Sequence, residues 1–361
     1  MIWYLLNIAI LTIAYLLPER QNLSDIGQDV GPQKRKRICV LGTITWVLLS
    51  GLRHISIGAD TPAYKYIFNS VKKLSWSNAF EDLYDKYIGG MDIKDPGYPI
   101  FEKLFQVFSG DYQIFLVFIA VLFFISLGIF IYKLSKNPYL SYILFSTLFY
   151  GFFAITGHRQ TIATAIVVLL GTFLIKKKKF IPFFLITLVM SSIHLSCLCF
   201  IPFYFISKIK INKFTLSAYW IAIVTSFFLR YELLELLQSI IGYDQYQDFE
   251  GARAGTFLYL LIAFGLVVTL FYEKIIENDT GILRMSINAL MLACFFSPLL
   301  LINQSTMRLI QYFSLFMLIL LPEFAKIFKK RTDRTVYNMV VTLVLVGLFV
   351  LQDPTYKFFW Q

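Results

Sequence analysis

The chain has 361 residues, of which 58% are hydrophobic, 18% aromatic and only 15% charged. That much apolar surface cannot be buried in one soluble globule, so a bilayer is its natural solvent. The excess of 33 Lys and Arg over 22 Asp and Glu lies in loops between apolar runs. It therefore reads as an orientation signal and excludes a nucleic-acid partner.

The first apolar run, residues 2 to 17, has no basic residue before it and no small-residue cleavage site after it, which predicts a permanent helix rather than a removable signal. Further runs follow at about 38 to 52, 112 to 132, 139 to 155, 160 to 175, 180 to 207, 215 to 229, 256 to 272, 283 to 301, 308 to 325 and 336 to 351. Several are shorter than the ~20 residues of a perpendicular span, as expected where helices end at a water-filled cavity.

The run 180 to 207 sets the topology. As one helix it would put Lys176 to Lys179 and Lys208 to Lys213 on opposite faces. As two half-length helices meeting near His194, it keeps both basic clusters on the same side. Counted from the sequence with Arg20, that side holds 21 of the 33 basic residues and is read as cytoplasmic. The expectation is an all-α integral membrane protein of about 12 transmembrane helices (11 to 13), with both termini outside. It forms one polytopic domain over 1 to 361, with extracytoplasmic segments at 53 to 111 and 230 to 255. In the first segment, apolar residues at 100, 101, 104, 105 and 108 have helical spacing and predict an interfacial or dipping helix. Leu233 to Ile241 is similarly spaced.

With that topology the ionisable and polar residues Arg53, His54, Asp60, Thr61, Glu102, His158, Arg159, Gln160, His194, Arg253 and Arg308 fall on the other side. Ionisable groups at membrane segments are costly and point to function, although each has a structural alternative. Arg53 ends a helix and could snorkel to headgroups. Asp60 or Thr61 can cap a helix begun by Ala63, Tyr64, Ile67 and Phe68. Arg159 and Arg308 each sit at a helix start, where a cation opposes the macrodipole. An anionic ligand explains that placement, and so does an ion pair with Glu102 or another carboxylate. His194, among Ser191, Ser192 and Ser196 at the closed end of a short hairpin, is either a catalytic or a packed histidine.

Several arginines with one histidine and one or two carboxylates suit a multiply charged anion such as pyrophosphate. No metal-ligand spacing, catalytic triad or phosphate-cradling glycine loop is present, and the four cysteines read as isolated thiols. No metal and no cofactor is expected.

Gly51-Leu52-Arg53 with Gly58-Ala59-Asp60-Thr61 and Tyr64, Pro96-Gly97-Tyr98 with Phe101-Glu102, Arg159-Gln160-Thr161-Ile162-Ala163, and Ser192-Ile193-His194-Leu195-Ser196 together resemble the EpsG family and, more broadly, Wzy-type polysaccharide polymerases. The motifs span residues 51 to 196, and hydropathy extends the likeness to the C-terminus. The resemblance implies a membrane-embedded, GT-C-like glycosyltransferase of the bacterial cytoplasmic membrane, polymerising undecaprenyl-pyrophosphate-linked oligosaccharide repeats on its periplasmic or outer face. Membrane lipid, a chain-length regulator and other polysaccharide-assembly proteins are the partners it implies. It marks Arg53, Asp60, Glu102, Arg159 and His194, while Arg308 and Arg253 come from topology alone.

In this reading Arg159, Arg308 and Arg53 neutralise charge growing on the pyrophosphate, and His194 or Asp60 takes the acceptor proton. Glu102, Thr61, Tyr64, Gln160 and Arg253 complete the substrate-binding set. A ligase of similar architecture and a flippase of lipid-linked sugar are the rivals. A flippase calls for mid-membrane charge and repeat symmetry, which the sequence lacks.

Overall fold

The computed structural model describes residues 1–18, 30–241, 253–277, 279 and 281–361, with only the backbone described at 240, 241, 253 and 254. Arg20 and the whole of the loop from 242 to 252 lie outside the described residues. Among those described, the fold is all helical, apart from an isolated antiparallel bridge between Arg53 and Phe358.

The helices are α1 (Ile2–Leu16), α2 (Pro32–Gly51), α3 (Thr61–Val71), α4 (Trp76–Tyr87), α5 (Gly97–Gln106), α6 (Tyr112–Leu134), α7 (Pro138–Leu144), α8 (His158–Ala163), α9 (Gly171–Lys176), α10 (Phe180–Ser191), α11 (Phe200–Ile206), α12 (Lys213–Phe228), α13 (Arg230–Ile241), α14 (Arg253–Ile276), α15 (Ile282–Phe296), α16 (Met307–Ser314), α17 (Met317–Glu323) and α18 (Arg331–Val350). Wide π-helical turns continue α7 over Phe145–Phe149 and Gly151–Ile155 and join α8 to α9 over Thr164–Leu170. Such turns are rare and gather at functional sites.

Among the described residues, five helical stretches are long and apolar enough to cross a membrane: Tyr112–Leu134, His158–Lys176, Gly255–Ile276, Ile282–Leu301 and Arg331–Val350. Gln304–Ser314 and Met317–Ile327 make a sixth if counted as one span bent by 53°. Ile2–Leu16, Pro138–Phe149, Phe180–Ser191, Leu195–Ile206 and Lys213–Phe228 are shorter apolar helices. The protein is multi-pass.

The core forms where α2, α6 and α7 approach closely. Gly42 permits this, because a Cβ there would lie 2.6 Å from the Tyr142 ring. Trp46 stacks on Phe124 at 5.6 Å and donates through Nε1 to Ser146 Oγ at 3.1 Å, so the largest buried side chain carries no orphan donor.

The run 180 to 207 is broken as its charge pattern requires. α10 ends at Ser191, His194 is extended, and a 3₁₀ turn over Leu195–Cys199 leads into α11. The helix expected near residue 100 is α5, whose Phe101 and Phe105 pack on Phe115 and Phe118 near the start of α6. All four cysteines are unpaired.

Candidate functional site

The break at His194 receives a turn from 100 residues earlier in the chain. In Lys94-Asp95-Pro96-Gly97, Gly97 N–H donates to Ser192 O at 2.8 Å, fastening the start of α5 to the end of α10. A Cβ on residue 97 would strike the Ser192 side chain, so glycine is required for this contact. Asp95 itself holds a left-handed backbone, with φ of 50°, an uncommon conformation for a residue other than glycine. Its carboxylate is thereby aimed at the break. Oδ1 accepts from Leu195 N–H at 3.1 Å, and Oδ2 lies 3.5 Å from His194 Nδ1.

Oδ2 also accepts from the Arg159 guanidinium at 2.9 Å. Arg159 stands in the first turn of α8, which Gly157 starts from a left-handed backbone, with φ of 66°. The guanidinium lies over the rings of Tyr64 and Tyr98, each 5.7 Å away, and keeps about a fifth of its side chain exposed. The partner of Arg159 is thus Asp95, not Glu102. Burial opposes ionisation of Asp95. The hydrogen bond of His194, the Arg159 charge and the Leu195 N–H outweigh burial and hold the carboxyl below its ordinary range.

His194 is 6% exposed and its Nε2 has no hydrogen-bond partner. With Nδ1–H directed at Asp95, Nε2 carries the free lone pair, the tautomer a general base needs.

α16 closes another side. Gln160 Nε2 donates to the Arg308 carbonyl at 2.6 Å, and Ser196 Oγ lies 3.0 Å from the Tyr312 hydroxyl. Arg308 opens α16 after the Gln304–Thr306 turn, near enough for its charge to act on His194 and Tyr64.

Other expected site residues have different surroundings. Arg53 is 3% exposed: it donates to Ser50 O and, at 2.8 Å, to His158 Nε2. The C-terminal segment covers it, with His54 N–H on Lys357 O at 2.8 Å and Phe359 N–H on Leu52 O at 2.9 Å. Its guanidinium is therefore held against Ser50 and His158, beneath the C-terminal segment. His158 stacks on Tyr64 at 4.3 Å, so Arg53 and His158 form the wall behind the Arg159 cluster.

Thr61 is buried and donates to Ile57 O at 2.8 Å. Asp60 occupies the N-cap of α3 without a side-chain cap bond. Glu102 is fully buried beside the Tyr98 hydroxyl; burial pushes its carboxyl up to about 8, against the lowering effects of Tyr98 and Arg159. The Arg253 side chain lies outside the described residues.

Asp95 escaped the sequence reading. Its only local signal is an aspartate before Pro-Gly, which reads as an ordinary turn. Among the described residues no group of three or more His, Cys, Asp or Glu is placed to hold a metal ion.

The joined pieces, Pro96-Gly97-Tyr98, Arg159-Gln160 and Ser192 to Ser196, are the motifs that carried the family resemblance. A family model, the EpsG family, matches residues 36–359. The chain belongs to the EpsG family. Proteins of the EpsG type are Wzy-like polysaccharide polymerases. No curated protein and no solved structure matches the chain.

Proposed function

We propose that this EpsG-family polymerase transfers a growing glycan from undecaprenyl pyrophosphate to a sugar hydroxyl of the next lipid-linked repeat, on the periplasmic or outer face of the cytoplasmic membrane. The observation that carries this reading is the shared Asp95 oxygen between Arg159 and His194, which joins an anion-binding group to a base with a free Nε2.

The acceptor hydroxyl oxygen attacks the anomeric carbon and its proton goes to His194 Nε2. The bond from that carbon to the pyrophosphate oxygen breaks, and undecaprenyl pyrophosphate leaves with the electron pair. Arg159 and Arg308 stabilise the charge that grows on the leaving group. Asp95 keeps Nδ1–H in place and shares the positive charge that His194 acquires. The long Nδ1 contact shortens as the imidazolium forms. The step uses protein groups alone and runs without a metal. Asp60 has no place in it.

The membrane reading that fits has twelve spans: the five long stretches, the bent pair, the five shorter apolar helices and α2, all among the described residues. Each basic cluster then lies at the opposite helix end from the site, as Lys176 does from Arg159 in the stretch His158–Lys176. Both termini and the site face outward in a single domain of GT-C-like architecture.

The test is incubation of purified protein with a defined undecaprenyl-pyrophosphate-linked repeat, with products resolved by size. A ladder of multimers is expected from the wild type, and none from His194→Gln at equal abundance. A wild type that leaves the lipid-linked monomer unextended sinks the polymerase reading. A full ladder from His194→Gln removes His194 as the base.

A further inference from the structure

A cavity of about 700 Å³ is bounded on one side by Met307 and Gln311 of α16. Its walls come from α1, the loop after Arg53, the π-helical turns after α7, α14, α16, and α18 with the tail that follows it. The volume falls in the ~300–1,000 Å³ range of small-molecule sites.

Three properties identify the chemistry of its ligand. Gln311, 3% exposed, lines the cavity, and its Oε1 has no hydrogen-bond partner. A buried acceptor without a donor is costly, so the occupant must bring O–H or N–H groups. Secondly, the described lining contains no Lys or Arg, while Asp353 adds a second acceptor at the rim. Among the described residues the cationic groups suited to phosphate, Arg159 and Arg308, lie outside this lining. Thirdly, the rings of Tyr4, Tyr150 and Phe257 line the same space. Flat apolar faces beside hydrogen-bonding groups suit the alternating C–H and O–H surfaces of a sugar ring.

α16 links this cavity to the reaction centre. Gln311 faces the cavity, and the next residue, Tyr312, reaches Ser196 beside His194.

We propose that the cavity binds the oligosaccharide portion of a lipid-linked substrate, a glycan subsite separate from the pyrophosphate clamp. This rests on the polymerase reading for its role, but the binding itself can be measured without catalysis. A hydrocarbon chain is the lesser fit, since a prenyl tail would leave Gln311 Oε1 unpaired.

The experiment titrates purified, full-length protein with free repeat-unit oligosaccharide, released from its lipid pyrophosphate by mild acid, and reads binding by saturation-transfer NMR. Wild type should bind. Gln311→Leu, which keeps the bulk but removes the acceptor, should bind about tenfold more weakly. Leu351→Trp, at an exposed lining position, should block the mouth with little risk to folding and abolish binding. Arg159→Ala should bind the free glycan as wild type does while its polymer yield falls on the order of 10²-fold.

Absence of glycan binding by wild type, or wild-type binding by both cavity variants, overturns the subsite. So does a cavity signal that only undecaprenyl phosphate displaces. If the glycan binds as expected but no polymer forms in the ladder assay, the subsite stands and the polymerase reading falls. If polymer forms with KM unchanged in both cavity variants, the subsite alone is lost.

Discussion

Asp95 Oδ2 accepts from Arg159 Nη1 at 2.9 Å and faces His194 Nδ1 at 3.5 Å, so one carboxylate oxygen joins two groups that lie 35 residues apart in the chain. Neither group is held as well without it. Arg159 would pivot about its tyrosine contacts, and His194 would lose the partner that fixes its tautomer.

Asp95→Asn tests that relationship. Asparagine keeps the size and can still accept from Leu195 N–H, but it loses the charge. Polymer formation should fall by roughly 10²-fold or more, on the scale of lost general-base catalysis, with protein still present in the membrane. Polymer length on gels, set against abundance by immunoblot, reads the result. Near-normal polymer would mean that the shared oxygen is a packing contact only.

Much of this site was legible before the structure. Lysine clusters on both flanks of 180 to 207 required a break, and the break put His194 at an apex. A cation in the first turn of a helix marked Arg159 and Arg308. What periodicity and local electrostatics could not supply was the long-range pairing: Asp95 lies in a loop between short helices, and nothing local ties it to residue 194. The surroundings of Arg53 were hidden for a related reason. An arginine at a helix end reads alike whether it faces outward or inward, and only the C-terminal segment folding back over residues 52 to 54 turns it inward.

Arg159→Lys separates charge from shape. A lysine ammonium restores the ion pair to Asp95 but cannot donate two parallel hydrogen bonds to phosphate oxygens or lie flat between Tyr64 and Tyr98. Polymer yield should drop nearly as far as in Arg159→Ala, on the order of 10²-fold. Near-normal chain length in the lysine variant would leave Arg159 as a point charge.

Orientation is tested with single cysteines in a Cys-free background. Those at Lys178, Lys210 and Lys330 should resist an impermeant thiol reagent in intact cells, whereas one at Ser75, in the segment before α4, should react. Labelling at Lys210 but not Lys178 would place the two basic clusters on opposite faces, and His194 would no longer sit at an outward apex.

Glu102 offers a pH test that is independent of polymer formation. Its carboxyl is fully buried, and burial pushes it up to about 8 from an unfolded value near 4.3. A raised folded pKa means that the folded state favours the proton. The stability this contributes is present below the unfolded pKa and is lost as pH rises through about 8. Between those limits the wild type should become steadily less stable relative to Glu102→Gln, which presents a neutral group of the same shape at every pH. Above pH 8 the difference should level off. Thermal melts in detergent at intervals from pH 5 to 9 read it as a gap in Tm that starts small, widens steadily in favour of the glutamine variant up to about pH 8, and then stays constant. A gap that is flat across the range, or one that favours wild type above pH 8, would mean that Glu102 stays ionised in the fold and has a cationic partner there. Arg159, the cation whose charge already acts on it, would be the first to examine, and its sole assignment to Asp95 would have to be revised.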